Sequence, residues 1–397
     1  MRAMQSFDVV ILGAGAAGLM CAFTAGQRGR RVLVLDHAAQ AGSKILISGG
    51  GRCNFTNLDV EPGRFFSANP HFAKGALRRY TQHDFIALVN KHGIAWHEKT
   101  LGQLFCDNSA RAMVAMLLAE CEAAGVALRL NTRITGVERA DGFAVDTDRG
   151  RFTAPSLVLA TGGLSIPKMG ATGLSLDLAR RFGLPVVETR PALVPITVAG
   201  AEGDAMRALS GVSLDCVATA GRHGFREAML FTHRGLSGPA ILQASTPWRA
   251  GEAMVIDMLP GTADAAALLI ARKRERPRAE LRTVLGEVLP ARLAQAVAAD
   301  AVGEAPRPMA DLPDKLLRGV AERIKRRRVV PAGTEGYAKA EVMAGGIDTA
   351  ALSSQTMGAR DVPGLFAIGE AVDVTGWLGG YNFQWAWSSG WCAGQAV

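Results

Sequence analysis

The chain has 397 residues, 49% hydrophobic and 20% charged, the composition of an ordinary soluble globular protein with length for two or three domains. No apolar run reaches the ~18 residues of a membrane span. The six cysteines lack a CxxC pair or ligand-like spacing to the histidines, which argues for reduced cytoplasmic thiols, with no disulfide framework and no metal, while the net charge of +8 points to an acidic partner.

Arg2 followed by apolar residues has the outline of a signal peptide, but Asp8 and a glycine motif interrupt it. An apolar run, Val9 to Leu12, breaks into Gly13-Ala14-Gly15-Ala16-Ala17-Gly18, and a small-residue helix pattern follows. A second apolar run, Val32 to Leu35, ends on Asp36. This predicts strand, tight turn, helix and strand within the ~30 residues of a βαβ unit. Gly13 suits the turn, Gly15 lets backbone approach a pyrophosphate, and Gly18 lets the helix pack closely. The helix N-terminus offers N–H groups to phosphates, and Asp36 suits a ribose hydroxyl while repelling a 2′-phosphate.

Next comes a glycine-rich loop that carries Ser43, Lys44, Ser48, Gly49, Arg52, Cys53 and Asn54. Three successive glycines beside such side chains let backbone crowd a flat or charged ligand. Residues 70–124 read mainly as helices, one capped by Asn108 or Ser109, with Met113, Met116, Leu117 and Cys121 as a core stripe. Residues 126–160 read as short strands with turns at Gly136, Asp141-Gly142 and Arg149-Gly150, closing on Leu157 to Ala160 and then Thr161-Gly162-Gly163. No second strand–GxGxxG–helix unit follows, so a separate nicotinamide domain is not expected. Residues 190–260 carry β-like runs. Residues 263–328 are helical in pattern and hold two basic stretches, Arg272 to Arg278 and Lys325 to Arg328, which read equally as solvated helix faces or as phosphate contacts. Near the end, Gly364 to Glu370 reads as an apolar strand closing on Gly369-Glu370. Gly379-Gly380-Tyr381-Asn382 opens a helix over 383–396, whose Trp385, Trp387 and Trp391 read as core packing.

The ILGAGAAGL start, the ATGG and the GLFAIGE resemble the glutathione-reductase-2 class of FAD flavoproteins. KILISGGGRCNFTN, ATGGLSIPKMGATG, LFTHRGLSGPAIL, VMAGGI and GEAVDVTGWLGGYNFQWAWSSG resemble, more narrowly, the BaiN/RdsA (YhiN-like) flavoproteins. The chain departs from that pattern at Leu104-Phe105-Cys106-Asp107, where the family tends to have Phe-Pro, and in a shorter, more basic helical insertion.

The resemblance implies an α/β fold: a Rossmann-like FAD-binding domain with an inserted β-rich subdomain and a small helical subdomain. The segments would be 1–189 and 336–397 for the FAD domain, 190–262 for the β-rich part and 263–335 for the helical part. It implies non-covalent FAD, with Gly13, Gly15, Ala16, Ala17, Gly18, Asp36 and His37 about the ADP half. Lys44, Ser48, Gly49, Arg52, Cys53 and Asn54 would lie near the pyrophosphate and flavin, and Ile134 would offer its backbone near the adenine. Ala160, Thr161, Gly162, Gly369 and Glu370 would line the middle of the cofactor. Gly380, Tyr381 and Asn382 would begin a helix facing the flavin pyrimidine.

The family's activities include reduction of activated C=C bonds, among them uracil to dihydrouridine in ribosomal RNA and unsaturated steroid-like ketones, with NAD(P)H as a transient reductant. Oxidation of a small amine or aminoketone is a second reading, and a flavin-containing RNA-binding factor without turnover a third. Cys53, His233 and Lys168 are the candidate proton donors. The expected partner is a small molecule or RNA, with ribosomal RNA held through the basic helical part. No membrane is involved, and the setting is cytoplasmic.

Overall fold

Val9–Leu12 (β1) and Val32–Leu35 (β2), the apolar runs flanking the glycine turn, are buried at every position and pair in parallel from Val9↔Val32 to Leu12↔Leu35. They form the centre of a five-stranded sheet in this computed structural model, which describes residues 5–303, 305 and 307–397. Arg2 lies outside the described residues. The chain divides into two units, one running to Arg190 and resuming at Val342–Val397, the other Pro191–Glu341.

In the first unit, Ala127–Arg129 (β3), Ser156–Leu159 (β4) and Leu365–Ala367 (β5) complete the sheet in the order β5-β4-β1-β2-β3, parallel throughout. Such strands are covered on both faces, which is why β1, β2 and β5 are unbroken apolar runs. The chain goes from β1 to one side of the sheet and later to the other. A topological switch therefore lies at the carboxyl ends of β1 and β4, where doubly wound sheets bind ligands.

Ala16–Gln27 (α1) starts directly after the glycine turn and packs against Ala110–Ala123 (α5) and Tyr381–Gly394 (α6). Small residues set that spacing. A Cβ on Gly390 would lie 2.6 Å from the Ala17 carbonyl oxygen, and one on Gly394 would lie 2.6 Å from Thr24 Cβ. Trp385 and Trp387 are buried as expected, their indole N–H groups donating to the Gly369 and Phe55 carbonyls at 3.0 and 2.8 Å. Trp391, by contrast, is only half-buried.

One local expectation needs correction, and another needs an addition. Gly136 is not a turn: it pairs with Asp146 inside the strand Ile134–Ala140, which forms an antiparallel meander with Gly142–Thr147 and Gly150–Ala154. Residues 70–124 are mainly helical as expected, with Ala73–Arg79 (α3), Gln82–Lys91 (α4) and α5 following the earlier Ser43–Ile47 (α2), but the segment also makes strands Trp96–Glu98 and Gln103–Cys106, and the second pairs with Asn54–Asn57. These strands are three and four residues long, and their partner lies some fifty residues back, so periodicity gave no signal. Ser109 caps α5, accepting from the Arg111 amide at 3.2 Å, and Thr81 with Asp84 forms a capping box on α4.

The second unit is built on a seven-stranded antiparallel sheet whose long hairpin is Ser213–Ala220 with His223–Phe231. Pro239–Ser245 packs on that hairpin. The helical part, Ala265–Glu275, Leu281–Leu285, Ala291–Val302 and Asp314–Lys325, belongs to the same unit. Leu317, Val320, Ala321 and Ile324 recur at helical spacing and form the buried stripe of the last helix.

Candidate functional site

The turn after β1 is held by its own backbone. The Gly13 amide donates to the Leu35 carbonyl at 2.8 Å, and the Gly42 amide to the Ala14 carbonyl at 2.9 Å. A Cβ on Gly18 would come within 2.0 Å of the Gly13 carbonyl oxygen, so α1 can start here only on glycine. Gly15 differs: a Cβ there would meet nothing within 4 Å. That open space faces the start of α1, which has no side-chain N-cap and no acid in its first turn. An uncapped helix N-terminus beside open space is what a pyrophosphate needs. Asp36 closes the far side. Its Oδ2 accepts from the Ala14 amide at 2.7 Å and its Oδ1 from the Ala38 amide at 2.8 Å, leaving further lone pairs for ribose hydroxyls. His37 is exposed, with Nδ1 3.6 Å from Asp36 Oδ1.

Other predicted residues gather around this turn. The Ala160 amide donates to the Leu12 carbonyl at 2.9 Å, and Thr161 Oγ1 shares a 2.7 Å bond with Ser175 Oγ. Gly369 abuts Ala17, since a Cβ on it would lie 2.9 Å from Ala17 Cβ, and its amide donates to Ser389 Oγ at 3.0 Å. Gly162 lies beside Glu370, with 3.5 Å from its Cβ position to Oε2. These residues fit a dinucleotide such as FAD.

Lys44 and Glu370 meet each other. Lys44 Nζ donates to Glu370 Oε2 and to Ser165 Oγ, both at 2.7 Å. Ser165 Oγ and the Met343 amide donate to Glu370 Oε1 at 2.7 and 3.0 Å. Burial works to raise the Glu370 carboxyl, but the Lys44 charge and these donors outweigh it and hold the group below its ordinary value. Four separated segments are thus clamped at one carboxylate. Neither Ser165 nor Met343 carries a local chemical signal; their one mark in the sequence is their place in ATGGLSIPKMGATG and VMAGGI. Lys44 keeps one of its three N–H donors for a ligand.

In the glycine-rich loop, Ser48 Oγ donates to the Ile45 carbonyl at 2.7 Å, and the Cys53 amide to the Ser48 carbonyl at 3.0 Å. Gly49 sits against the Phe105 ring. Arg52 is exposed. Cys53 is fully buried, and burial pushes its thiol far above the usual range. Oriented to satisfy both ends of its amide, Asn54 donates to the Leu104 and Thr56 carbonyls and accepts from the Gly380 amide, all at 3.2 Å. A Cβ on Gly380 would lie 2.4 Å from the Thr56 carbonyl, so glycine is required where α6 begins.

Tyr381 is buried edge-on to Phe65. The Asn382 side chain accepts from the Gly376 amide at 2.8 Å and donates to the Gly376 carbonyl at 3.0 Å, which fixes the turn before α6. Ile134 begins the meander, half-buried. Lys168 is exposed on a short 3-10 turn after β4. His233 is exposed in the second unit, its carbonyl accepting from Arg207.

The basic stretches of the second unit are largely engaged in ion pairs. Arg272 binds Glu275 and Glu287, Arg276 binds Glu287, and Lys273 binds Asp314. Lys325 binds Asp257, Arg326 binds Glu322, and Arg327 binds Glu202. Among the described residues, Arg274, Arg278 and Arg328 stay exposed outside such pairs.

Comparison with known proteins matches residues 7–396 to the family described as the HI0933-like protein Rossmann domain. The chain is 50% identical to the "Ribosomal RNA dihydrouridine synthase" of Escherichia coli (strain K12), over 99% of this chain and 98% of the relative. It is 28% identical to the "3-dehydro-bile acid delta(4,6)-reductase" of Clostridium scindens, over 98% of each chain. Among solved structures, a 3-ketosteroid-delta4-(5alpha)-dehydrogenase from Rhodococcus jostii RHA1 superposes with a TM-score of 0.50 at 15% identity, covering 99% of this chain and 98% of that one. The fold is the Rossmann-type FAD-binding α/β fold that the sequence motifs imply.

Proposed function

The chain belongs to the HI0933-like Rossmann family, and from that premise we propose that it is an FAD-dependent oxidoreductase that reduces an activated C=C bond, uracil in ribosomal RNA, to dihydrouridine. The observation that carries this reading is the 50% identity, over 99% of the chain, to a ribosomal RNA dihydrouridine synthase. Bound FAD supplies hydride transfer from NAD(P)H, a transient reductant here, to the alkene. The α1 N-terminus and Gly15 would hold the pyrophosphate, and Asp36 the ribose of the adenosine. The Ile134 backbone would meet the adenine, Lys44 and Glu370 would hold the middle of the cofactor, and the α6 N-terminus at Tyr381 would favour the negative charge that a reduced flavin carries.

Reduction of the alkene adds a hydride to one carbon and a proton to the other. Lys168 and His233 are exposed and able to exchange a proton with solvent, whereas buried Cys53 is assigned to packing. Arg274 and Arg278 of the helical part, with Arg328 on the strand Arg327–Val329, would meet RNA phosphates. A ribosomal RNA substrate places the protein in the cytoplasm. Nucleoside mass spectrometry of ribosomal RNA from a strain lacking the gene provides the test. A dihydrouridine should be missing and should return with the gene; an unchanged profile would refute the substrate.

A further inference from the structure

Exposed cations also gather away from the basic stretches, on the first unit. α3 ends on Arg78 and Arg79, both exposed. The Arg79 guanidinium lies over the Trp391 ring, 5.3 Å from its centre, and that ring stacks on Tyr80 at 5.8 Å. Just beyond Trp391, Arg28 donates to the Gly394 carbonyl and to a Val397 oxygen, both at 2.9 Å, and Arg30 donates to the same Val397 oxygen at 3.0 Å. The stripe is therefore continuous, running from the end of α3 across the last turns of α6 to the end of α1.

What these arginines touch separates them from the basic stretches. Arg79 is held by the Gln355 carbonyl and a ring, which orient a guanidinium without cancelling its charge, and it keeps further N–H donors. The carboxylates whose charge reaches Tyr80 are Asp84 and Glu120. Asp84 is committed to the α4 capping box, and Glu120 is buried and held by Lys91, His92 and Gln27. The side chain that breaks the pattern of buried tryptophans on α6 is the one beside this charge.

We infer that Arg78 and Arg79 with Trp391 form an RNA-docking surface, the arginines taking phosphates and the Arg79–Trp391 pair a stacked base. This rests on the RNA-modifying reading above. α6 links the surface to the proposed flavin end: Trp391 lies ten residues, about 15 Å, beyond Tyr381.

The test measures affinity for a uridine-containing ribosomal RNA hairpin at several salt concentrations, using FAD-loaded protein. Arg78→Gln with Arg79→Gln should weaken binding about 10-fold or more and reduce the slope of log K against log salt by roughly 1.4 to 1.8. Arg78→Lys with Arg79→Lys should retain the slope. Trp391→Ala should lower affinity at least ~5-fold without changing the slope. Flavin content and flavin bleaching by NADPH should match wild type in every variant. Wild-type affinity and slope in the glutamine variant, with RNA still bound and modified, would overturn the surface alone. Binding to anionic vesicles that is lost in that variant while RNA affinity is kept would reassign the face to a membrane and overturn it too. A wild-type protein that neither binds nor modifies RNA would remove the RNA reading itself.

Discussion

The glycine turn at Gly13–Gly18 and the basic stretches at Arg272–Arg278 and Lys325–Arg328 are the two strongest local signals in the chain, and they fare differently in the folded protein. At the turn, the start of α1 carries no side-chain cap and the space beside Gly15 stays open. In the basic stretches, six of the cations are bound to neighbouring carboxylates. A backbone motif fixes its own geometry within a few residues. A charge motif does not, because its partners arrive from distant sequence: Asp257 for Lys325, Glu202 for Arg327.

Filling the open space should have the largest effect. Gly15→Val places a branched side chain where backbone must meet the pyrophosphate, and the purified protein should retain no FAD. Stoichiometric FAD at wild-type affinity would show that the opening is not the cofactor's. Lys44→Ala comes next. It leaves Glu370 facing Ser165 and Met343 with no cation, which costs on the order of 3 kcal/mol of stability and weakens FAD retention. The pH dependence carries a sign. The folded Glu370 carboxyl is held below its unfolded value, so its contribution is present above the unfolded value and is lost as pH falls through the folded one. Without Lys44, the midpoint of acid unfolding should move to higher pH; an unchanged midpoint would show that the clamp does not hold the carboxylate.

The basic stretches offer an internal control. Arg274→Gln with Arg278→Gln should lower the salt slope of RNA binding by up to about 1.4 to 1.8, whereas Arg272→Gln with Arg276→Gln should leave it nearly unchanged and cost under about 1 kcal/mol of stability. Equal slopes for the two pairs would mean that ion pairing does not decide which arginines reach a phosphate. Cys53→Ala should have the smallest effect, about 1 kcal/mol of stability, with some loss of FAD retention and a normal rate of substrate reduction. A ~10²-fold slowing confined to substrate reduction, read by rapid mixing, would restore the thiol as the acid.

What the sequence showed follows the same division. β1, α1, β2 and Asp36 were legible because 3.6- and 2-residue periods and a glycine turn are local. The strands at Trp96–Glu98 and Gln103–Cys106 were not, since they exist only by pairing toward Asn54–Asn57. At the site, Lys44 and Glu370 were named separately. Their meeting through Ser165 joins residues up to 326 positions apart, and no spacing rule reaches that far. Trp391 shares one helix with two buried tryptophans, and only the packing of α3 and α1 on either side sets it apart.

The strand order also sets a timetable. β4 is flanked by β1 and β5, and roughly two hundred residues separate Leu159 from Leu365. At the ~5–20 residues per second of synthesis, β4 is made about 10 to 40 s before the strand that covers its outer side. Throughout that interval the nascent chain presents an apolar parallel edge, the kind of surface that recruits stray strands. Protecting β4 on the ribosome, by a chaperone or by early closure of the meander beside it, is therefore a requirement that this circuit of the chain imposes on the cell.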